Sequence, residues 1–238
     1  MSAADAPNAF PPPLAGNLRI LVVNAKGGSG KTTLATNLAV CYARHDIVTA
    51  LVDHDPQGSA TQWLAARPPD HPPIGGVEGF RVSEPGVTRS FLMRPAIEAR
   101  RVVVDTPAAL LPAQFGTWLT EADRIVVPVL PSSIDIKAAT RFIGALLLDP
   151  RFRARRIPLA VVANRVRRNT LVFEKLRRFL GSLQIPFVTT LRDTQNYVRC
   201  TETGEGIFDD PSSRTREDRD ALMTLLQWLE KPTTPQQR

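Results

Sequence analysis

Residues 18–40 read LRILVVNAKGGSGKTTLATNLAV, an apolar run, a glycine-rich turn and a helical pattern in succession. This order of strand, turn and helix is the context in which a glycine-rich segment becomes a credible phosphate-binding loop. Gly27, Gly28 and Gly30 leave backbone amides free to surround a phosphate, and a helix beginning near Lys31 directs its positive N-terminus at the anion. The stretch therefore predicts a phosphate site after the first strand of an α/β fold.

Two side chains in this loop suit a nucleotide with its metal ion. We expect Lys31 to reach the β- and γ-phosphates and the Thr32 hydroxyl to bind Mg²⁺. The loop also departs from the ordinary pattern, because Ala25 stands where a glycine is usual and Lys26 follows it. The Lys26 ammonium is either solvated or lies across a subunit boundary, where it would meet the phosphates of a partner's nucleotide.

Short β-branched runs alternate with helical patterns along the chain. The runs lie at 18–23, 47–52, 101–104, 124–129, 158–163 and 186–189. The helical patterns lie at 31–44, 58–66, 88–98, 110–120, 134–148, 170–182 and 216–229. Most runs are apolar on both faces, as in strands buried on both sides of a parallel sheet. We predict the α/β class, a doubly wound, mostly parallel sheet flanked by helices.

Composition indicates one globular domain. The chain has 238 residues and is 43% hydrophobic. We expect a single domain over 18–230, a flexible Pro/Ala-rich tail over 1–17 and a C-terminal tail over 231–238. The proline- and glycine-dense segment 67–79 (RPPDHPPIGGVEG) is interpreted as a surface loop.

Two further features bear on where the protein acts. No apolar run approaches the roughly 18 residues of a membrane span, so we expect no membrane attachment. Cys41 and Cys200 show no paired spacing, which favours a reducing, cytoplasmic setting over a disulfide framework or a Cys-Cys metal site.

The net charge of +7 is concentrated in the last third of the chain. Between Arg151 and Arg199 there are twelve Lys or Arg residues against two acids, Glu174 and Asp193. A field of this sign favours an anionic polymer or surface as partner, with a solvated arginine-rich face as the alternative.

Polar residues follow several of the predicted strands, where ligands bind in open parallel sheets. Asp53 and Asp55 follow the second run, and Asp105 ends the run VVVD at 102–105, the arrangement that holds Mg²⁺ directly or through water. Asn164 follows the run at 158–163. Its amide could pair with the adenine edge or could cap a turn.

Two motifs together carry a family resemblance. KGGSGKTT after VVN resembles the deviant phosphate loop of the ParA/MinD superfamily, and LVDHDPQGSAT at 51–61 resembles the second signature of its ParA branch. The resemblance covers residue 18 to about residue 208. It implies an ATPase that uses ATP and Mg²⁺ and forms a homodimer in the ATP state.

The resemblance also implies roles for individual residues. Asp55 would help to position the attacking water, with Lys26 and Lys31 as the other catalytic residues, and Asp53 would support metal-bound water or the fold. The implied ATP-binding set is Lys26, Gly27, Gly28, Ser29, Gly30, Lys31, Thr32, Thr33 and Asn164. The stretch 128–136 (PVLPSSIDI) matches the family without an assigned chemistry, and Ala108 departs from the Pro or Gly that is frequent after Asp-Thr-Pro.

A surface that contacts DNA phosphates is the expectation for the arginine-rich third. Arg199 lies where the ParA branch has an arginine implicated in nonspecific DNA binding, and phosphate contacts of this kind give salt-sensitive, sequence-independent affinity. The predicted contacts are Arg199, Arg192, Arg167, Arg168, Arg177 and Arg178.

The family's biology implies a positioning role. A short ParA-type protein, without an N-terminal helix-turn-helix region, would coat the nucleoid and be released when a ParB-like or cargo-adaptor protein stimulates hydrolysis. The cargo could be a plasmid, a chromosome, carboxysomes or chemoreceptor arrays. A membrane-associated MinD-like role is the alternative, but the acidic residues within 216–231 favour a helix docked on the domain. A nucleotide-bound scaffold without meaningful turnover is a further alternative.

Overall fold

A seven-stranded parallel sheet forms the centre of the protein. The computed structural model describes residues 9–81, 93–108, 115–167 and 185–233, together with Glu174, Arg177, Arg178 and Gly181. The strands are β1 (Leu18–Val22), β2 (Thr49–Asp53), β3 (Gly75–Glu78), β4 (Arg101–Asp105), β5 (Arg124–Val129), β6 (Leu159–Val166) and β7 (Phe187–Arg192). Their order is β3-β2-β4-β1-β5-β6-β7, and every neighbouring pair is parallel. The predicted fold class is confirmed.

Helices cover both faces of the sheet. They are α1 (Lys31–Arg44), α2 (Ser59–Ala65), α3 (Arg94–Glu98), α4 (Phe115–Glu121), α5 (Ser133–Leu148), α6 (Pro150–Arg155), α7 (Gln195–Glu202) and α8 (Arg216–Leu229). Buried residues of α1, α2, α7 and α8 pack with one face of the strands, and those of α3 to α6 pack with the other. Strands β2, β4 and β5 are buried at every position, which explains their continuous apolarity.

The predicted surface loop at 67–79 is partly wrong, because Gly75–Glu78 is strand β3. This strand pairs with β2 along its whole length, from Ala50 opposite Gly75 to Asp53 opposite Glu78. It lacks a sequence signal because two of its four residues are glycines and only Val77 is buried. Its position at the sheet edge is set by the neighbouring strand rather than by its own apolarity.

The predicted flexible tail is wrong for residues 9–17, which pack against the domain. Phe10 stacks on His45 with ring centroids 4.0 Å apart. The Leu14 amide donates to Glu230 Oε2 at 2.7 Å, and Arg101 donates to the Leu14 carbonyl at 3.0 Å. Arg101 and Glu230 form an ion pair of 2.7 Å whose side chains are both fully buried. The first and last described segments are therefore joined across the base of the sheet.

Some predicted elements extend beyond the described residues. The predicted helices at 88–98 and 110–120 are represented by α3 and α4, and their first five residues lie outside the described chain. Most of the predicted helix 170–182 also lies outside it, although Glu174, Arg177, Arg178 and Gly181 are helical. Helices α6 and α7 had not been predicted.

No helix within the described ranges combines the length and apolarity needed to span a bilayer.

The carboxyl ends of the parallel strands bring the predicted site residues to one edge of the sheet. The phosphate loop follows β1, and Asp53 and Asp105 end the adjoining strands β2 and β4 in register with each other. Asn164 lies in β6, two strands away on the other side of β1. The topology therefore gathers residues that are up to 140 positions apart in the chain.

Candidate nucleotide site

The glycine-rich turn has the backbone conformation of a phosphate-binding loop. Gly28 and Gly30 have φ values of +73° and +88°, in the left-handed region that favours glycine. Helix α1 begins at Lys31, immediately after Gly30, so its first amides face the loop. A Cβ on Gly30 would lie 2.0 Å from Asn164 Nδ2, so only glycine fits where β6 approaches the loop.

Asn24 anchors the start of the loop, a role that the sequence analysis did not assign. Its side chain is buried, and Nδ2 donates to the Pro128 carbonyl at the end of β5 at 2.7 Å. Its Oδ1 accepts from the Lys26 amide at 3.0 Å. This residue therefore ties the loop to the neighbouring strand and fixes the backbone that carries Lys26.

Asp105 and Thr32 form the part of the site suited to a metal ion. Thr32 Oγ1 donates to Asp105 Oδ2 at 2.7 Å, while the buried Oδ1 has no hydrogen-bond partner among the described residues. Burial raises the pKa of Asp105 to about 7, and the charges of Asp53 and Asp55 add to this effect. A hard cation beside the orphaned oxygen would relieve both the desolvation and the repulsion, so these residues fit Mg²⁺.

Lys31 lies at the floor of the loop. It is 6% exposed, and Nζ donates to the Lys26 carbonyl at 3.3 Å. Burial lowers its pKa, and the negative charges of Asp105 and Asp55 partly offset this effect. The ammonium therefore lies against the loop backbone, and its predicted role at the phosphates stays a prediction.

Asp53 and Asp55 have different surroundings, although they are two residues apart. Asp53 is buried and accepts from the Thr61 amide, the Thr61 hydroxyl and the Asp55 amide at 2.9–3.1 Å. Burial raises its pKa, and these hydrogen bonds partly counteract the rise. Asp55 is half-buried at the rim of the site and, among the residues that the structure describes, its carboxylate accepts only from the Gln57 amide within its own turn. Asp53 therefore holds the loop, which leaves Asp55 available to a ligand.

Asn164 is engaged with the phosphate loop. Nδ2 donates to the Ser29 carbonyl at 2.9 Å, and Oδ1 accepts from the Arg165 amide at 3.0 Å. It also borders a cavity of about 390 Å³ lined by Thr33, Arg165, Asp193, Gln195 and neighbouring residues of α7. These contacts give Asn164 a loop-holding role, and its predicted role at the adenine edge stays a prediction.

Lys26 forms an ion pair within its own chain. Its Nζ contacts Asp135 Oδ1, and Asp135 Oδ2 accepts from the Ser132 hydroxyl. Ser132 caps α5, accepting from the Asp135 amide at 3.1 Å. The stretch 128–136, to which the sequence analysis gave no chemistry, thus supplies the partner of the loop lysine.

His54 links the two acidic segments of the site. Its amide donates to the Asp105 carbonyl at 3.0 Å, and its ring lies against Trp118 of α4, with centroids 4.8 Å apart. Burial, together with the positive charge of Arg19, lowers the pKa of His54 to about 4.

The predicted DNA-contacting arginines do not form one group. Arg192 makes a two-pronged ion pair with the buried Asp218, with both contacts at 2.9 Å, and a further pair with Glu217. Its guanidinium joins β7 and α8, which favours a structural role over the predicted contact with DNA. Arg199 is exposed and donates to Asn196 Oδ1 at 2.9 Å.

The remaining predicted contacts are exposed where the structure describes them. Arg167 pairs with Asp193 at 3.0 Å, but its side chain is 83% exposed. Arg177 and Arg178 are exposed as well, while Arg168 lies outside the described residues.

A parallel β-sheet flanked by helices, with a phosphate loop after its central strand, defines a P-loop nucleotide-binding protein. A model of the family described as the CobQ/CobB/MinD/ParA nucleotide binding domain matches residues 20–207, and the chain belongs to that family. The resemblance to the ParA/MinD superfamily is thereby confirmed.

Individual relatives agree with this assignment. The chain is 29% identical over 223 residues to the maintenance of carboxysome distribution protein A of Halothiobacillus neapolitanus, a match that covers 87% of this chain and 94% of the relative. It is 32% identical over 192 residues to the chromosome-partitioning ATPase Soj of Thermus thermophilus, covering 68% and 77% of the two chains. The structure of a variant of Cyanothece McdA in complex with ATP shares the fold, with a TM-score of 0.67, 13% identity and coverage of 90% and 96%.

Proposed function

We propose that this protein is a Mg²⁺-dependent positioning ATPase that dimerises on ATP and binds double-stranded DNA without sequence preference. It is released from DNA when a ParB-like or cargo-adaptor protein stimulates hydrolysis. The observation that carries the proposal is the meeting of Lys31, Thr32, Asp55 and Asp105 at one sheet edge, beside Lys26, which pairs with Asp135 of its own chain.

Binding of the nucleotide would depend on the loop and three side chains. The loop amides and the N-terminus of α1 would hold the β-phosphate, and Lys31 would reach the β- and γ-phosphates. Thr32 and Asp105 would hold Mg²⁺, which when bound neutralises charge on the phosphate oxygens. The orphaned Asp105 oxygen supports this assignment.

Hydrolysis would require a water oriented toward the γ-phosphate. Asp55 is suited to this task because its carboxylate lies at the rim and accepts a hydrogen bond from the Gln57 amide of its own turn. Asp53, which fixes that turn through Thr61, would support the geometry rather than the chemistry.

Dimerisation would give Lys26 its second partner. In the single chain its positive charge is neutralised by Asp135. We propose that a nucleotide on a second copy offers more negative charge than Asp135 does. Lys26 would then leave Asp135 and contact the phosphates of the partner's nucleotide across the interface. ATP would then be required for a stable dimer, and each copy would complete the site of the other.

DNA binding is assigned to the exposed arginines Arg167, Arg177, Arg178 and Arg199, and to Arg168, which lies outside the described residues. Phosphate contacts from two copies would add in the dimer, so nucleotide state would control attachment to the nucleoid. The relatives named for carboxysome distribution and chromosome partitioning support an intracellular cargo of this kind.

The MinD-like alternative is disfavoured by helix α8. A membrane-binding helix needs an exposed apolar face. Leu222, Leu225, Leu226 and Leu229 of α8 are instead fully buried, and the helix packs against β7.

Replacing Lys26 by Ala tests the proposal. We expect the Lys26→Ala variant to bind ATP with Mg²⁺ but to form no ATP-dependent dimer in analytical ultracentrifugation, and its ATPase rate to fall by about 10³-fold, the lower range for a charged finger supplied in trans. Asp55→Ala serves as the matched variant, since it should dimerise on ATP and yet scarcely hydrolyse it.

A third variant separates loss of the lysine from loss of its ion pair. Asp135→Asn removes the same pair but keeps the lysine, so it should dimerise on ATP at least as readily as the unchanged protein. Unaltered dimerisation of Lys26→Ala would refute the shared site.

A further inference from the structure

His54 occupies a position between the two segments that carry the acidic residues of the site. Its backbone is bonded to the end of β4 through the Asp105 carbonyl. Its ring lies against Trp118 in α4, the helix that follows β4 in the chain, at an interplanar angle of 31°. The residue next to it is Asp55. His54 thus connects the loop after β2 with the end of β4 through its backbone and with α4 through its ring.

The ring has little freedom to move. A Cβ on Gly79, directly after β3, would lie 2.6 Å from His54 Nδ1 and 2.7 Å from Cε1, so the ring fills the space beside that glycine. The imidazole also hydrogen-bonds to the Gly79 backbone. On the other side, Trp118 is partly buried and packs against the sheet core. The ring is therefore held between the edge strand and α4.

Asp55 itself lacks such support. Among the described residues, its carboxylate accepts only from the Gln57 amide, so the direction of the carboxylate depends on the backbone that leads into it. That backbone is fixed by Asp53, which accepts from the Asp55 amide at 3.0 Å, and by the bond from the His54 amide to the Asp105 carbonyl. In nucleotide hydrolases, the segments beside the γ-phosphate are ordered by it and released after hydrolysis.

We propose that His54 is a positioning residue that fixes the position of Asp55 relative to α4 through its contact with Trp118. A displacement of α4 on nucleotide binding is then carried to the carboxylate that orients the water. This inference rests on the proposed ATPase function, because Asp55 has its role only in that reaction.

The kinetic test uses His54→Leu, Trp118→Leu and the double variant, with steady-state kcat and the KM for ATP measured with Mg²⁺ and duplex DNA. Loss of an aromatic contact predicts a fall in kcat of about tenfold for either single variant, with the KM for ATP changed by less than about twofold. The double variant should be no slower than the single ones, because both remove the same contact. His54→Phe, which keeps a ring, should retain most of kcat.

The chain offers a matched control in the His45–Phe10 stack, which lies outside the site. His45→Leu removes a histidine–aromatic contact of the same kind and should leave kcat unchanged. If His54→Leu folds poorly, His54→Gln keeps a polar group for the Gly79 backbone without the ring and is measured instead. An unchanged kcat, a KM that rises in step with the fall in kcat, or effects that multiply in the double variant would overturn the inference.

A second measurement does not depend on turnover. Subtracting the emission of the Trp118→Phe variant from that of the unchanged protein isolates Trp118 fluorescence. ATP with Mg²⁺ should alter this signal, and the change should vanish in His54→Leu. If the unchanged protein binds ATP but hydrolyses none, the proposed function and the role of Asp55 fail together, while this measurement still decides whether His54 couples α4 to the nucleotide. A Trp118 signal that does not change with ATP, or that changes equally in the unchanged protein and in His54→Leu, would refute the inference.

Discussion

Gly30 is the residue on which the shape of the phosphate loop depends most directly. Gly30→Ala places a Cβ 2.0 Å from Asn164 Nδ2 and forces an L-residue into φ +88°. We expect a loss of roughly 1–3 kcal/mol in the free energy of unfolding from the backbone strain. ATP affinity should fall as well, because displacing Asn164 breaks its bond to the Ser29 carbonyl. Chemical denaturation and ATP titration measure the two effects.

Gly144 provides the control for this substitution. It lies in helix α5, and a Cβ there would meet nothing within 4 Å. Gly144→Ala should raise the free energy of unfolding by about 0.5–1 kcal/mol and leave ATP affinity unchanged. Equal stability of the two variants would contradict the strain argument.

The positions of site residues could be predicted where those residues belong to a local sequence motif. Lys31, Thr32 and Asp105 lie where the sequence placed them, because each is fixed by its distance from the end of a strand. Asn24 and Asp135 were missed because their roles arise from contacts with Pro128 and Lys26, over a hundred positions away in the chain. Only the packed sheet shows which distant residue becomes a partner.

Among the strands and helices, the apolar pattern of the sequence determined which elements could be predicted. Six strands could be predicted, five of them because burial on both faces leaves a continuous apolar run; β7 is buried at only two of its six positions. Strand β3 was missed, since an edge strand built on two glycines needs only one buried side chain. Helix α6 follows α5 with Asp149 between them as its cap, so its six residues merged with the preceding pattern and with the arginine-rich stretch.

The arginine-rich elements allow a test of which arginines bind DNA and which stabilise the fold. Replacing Arg177 and Arg178 together by Ala should lower DNA affinity and reduce the slope of log affinity against log salt by about two units, one for each lost phosphate contact. Fluorescence anisotropy with labelled duplexes at several salt concentrations, in the presence of ATP, measures the slope.

Arg192 serves as the comparison in that experiment. Its removal leaves the buried Asp218 with Asn196 as a remaining partner, so Arg192→Ala should lower the free energy of unfolding by about 1–3 kcal/mol. The salt slope of its DNA binding should be unaltered. If instead Arg192→Ala flattens the salt slope and the double variant does not, the assignment of Arg177 and Arg178 to DNA binding and of Arg192 to the fold is wrong.

For the molecule as a whole, the buried Arg101–Glu230 pair connects the first and last described segments to the sheet. Burial alone would raise the pKa of Glu230, but hydrogen bonds from Arg101 and the Leu14 amide lower it below its ordinary 4.5. Glu230→Gln would leave the Arg101 charge buried without a counter-ion. We expect a loss of about 3–5 kcal/mol in the free energy of unfolding at pH 7.

The pH dependence of this loss follows from the direction of the pKa. A carboxylate with a lowered pKa stabilises the fold fully above its ordinary pKa, and the stabilisation disappears as the pH falls through the lowered value. Denaturant unfolding should therefore show a large difference between the unchanged protein and Glu230→Gln at pH 6–7 that shrinks below pH 4.5. Glu98→Gln, which breaks the exposed pair with Arg94, should show no measurable difference at any pH.

The contact between the first and last described segments has a consequence for chain connectivity. Gln227 donates to the Ala9 carbonyl, and Leu14 is bonded to Glu230, so these segments run side by side at the edge of the sheet opposite the phosphate loop. A short linker could join them there without disturbing the nucleotide edge, and new ends could be opened in an exposed loop. A circularly permuted protein of this kind should keep its nucleotide affinity, since that affinity depends on the order of strands in space rather than along the chain.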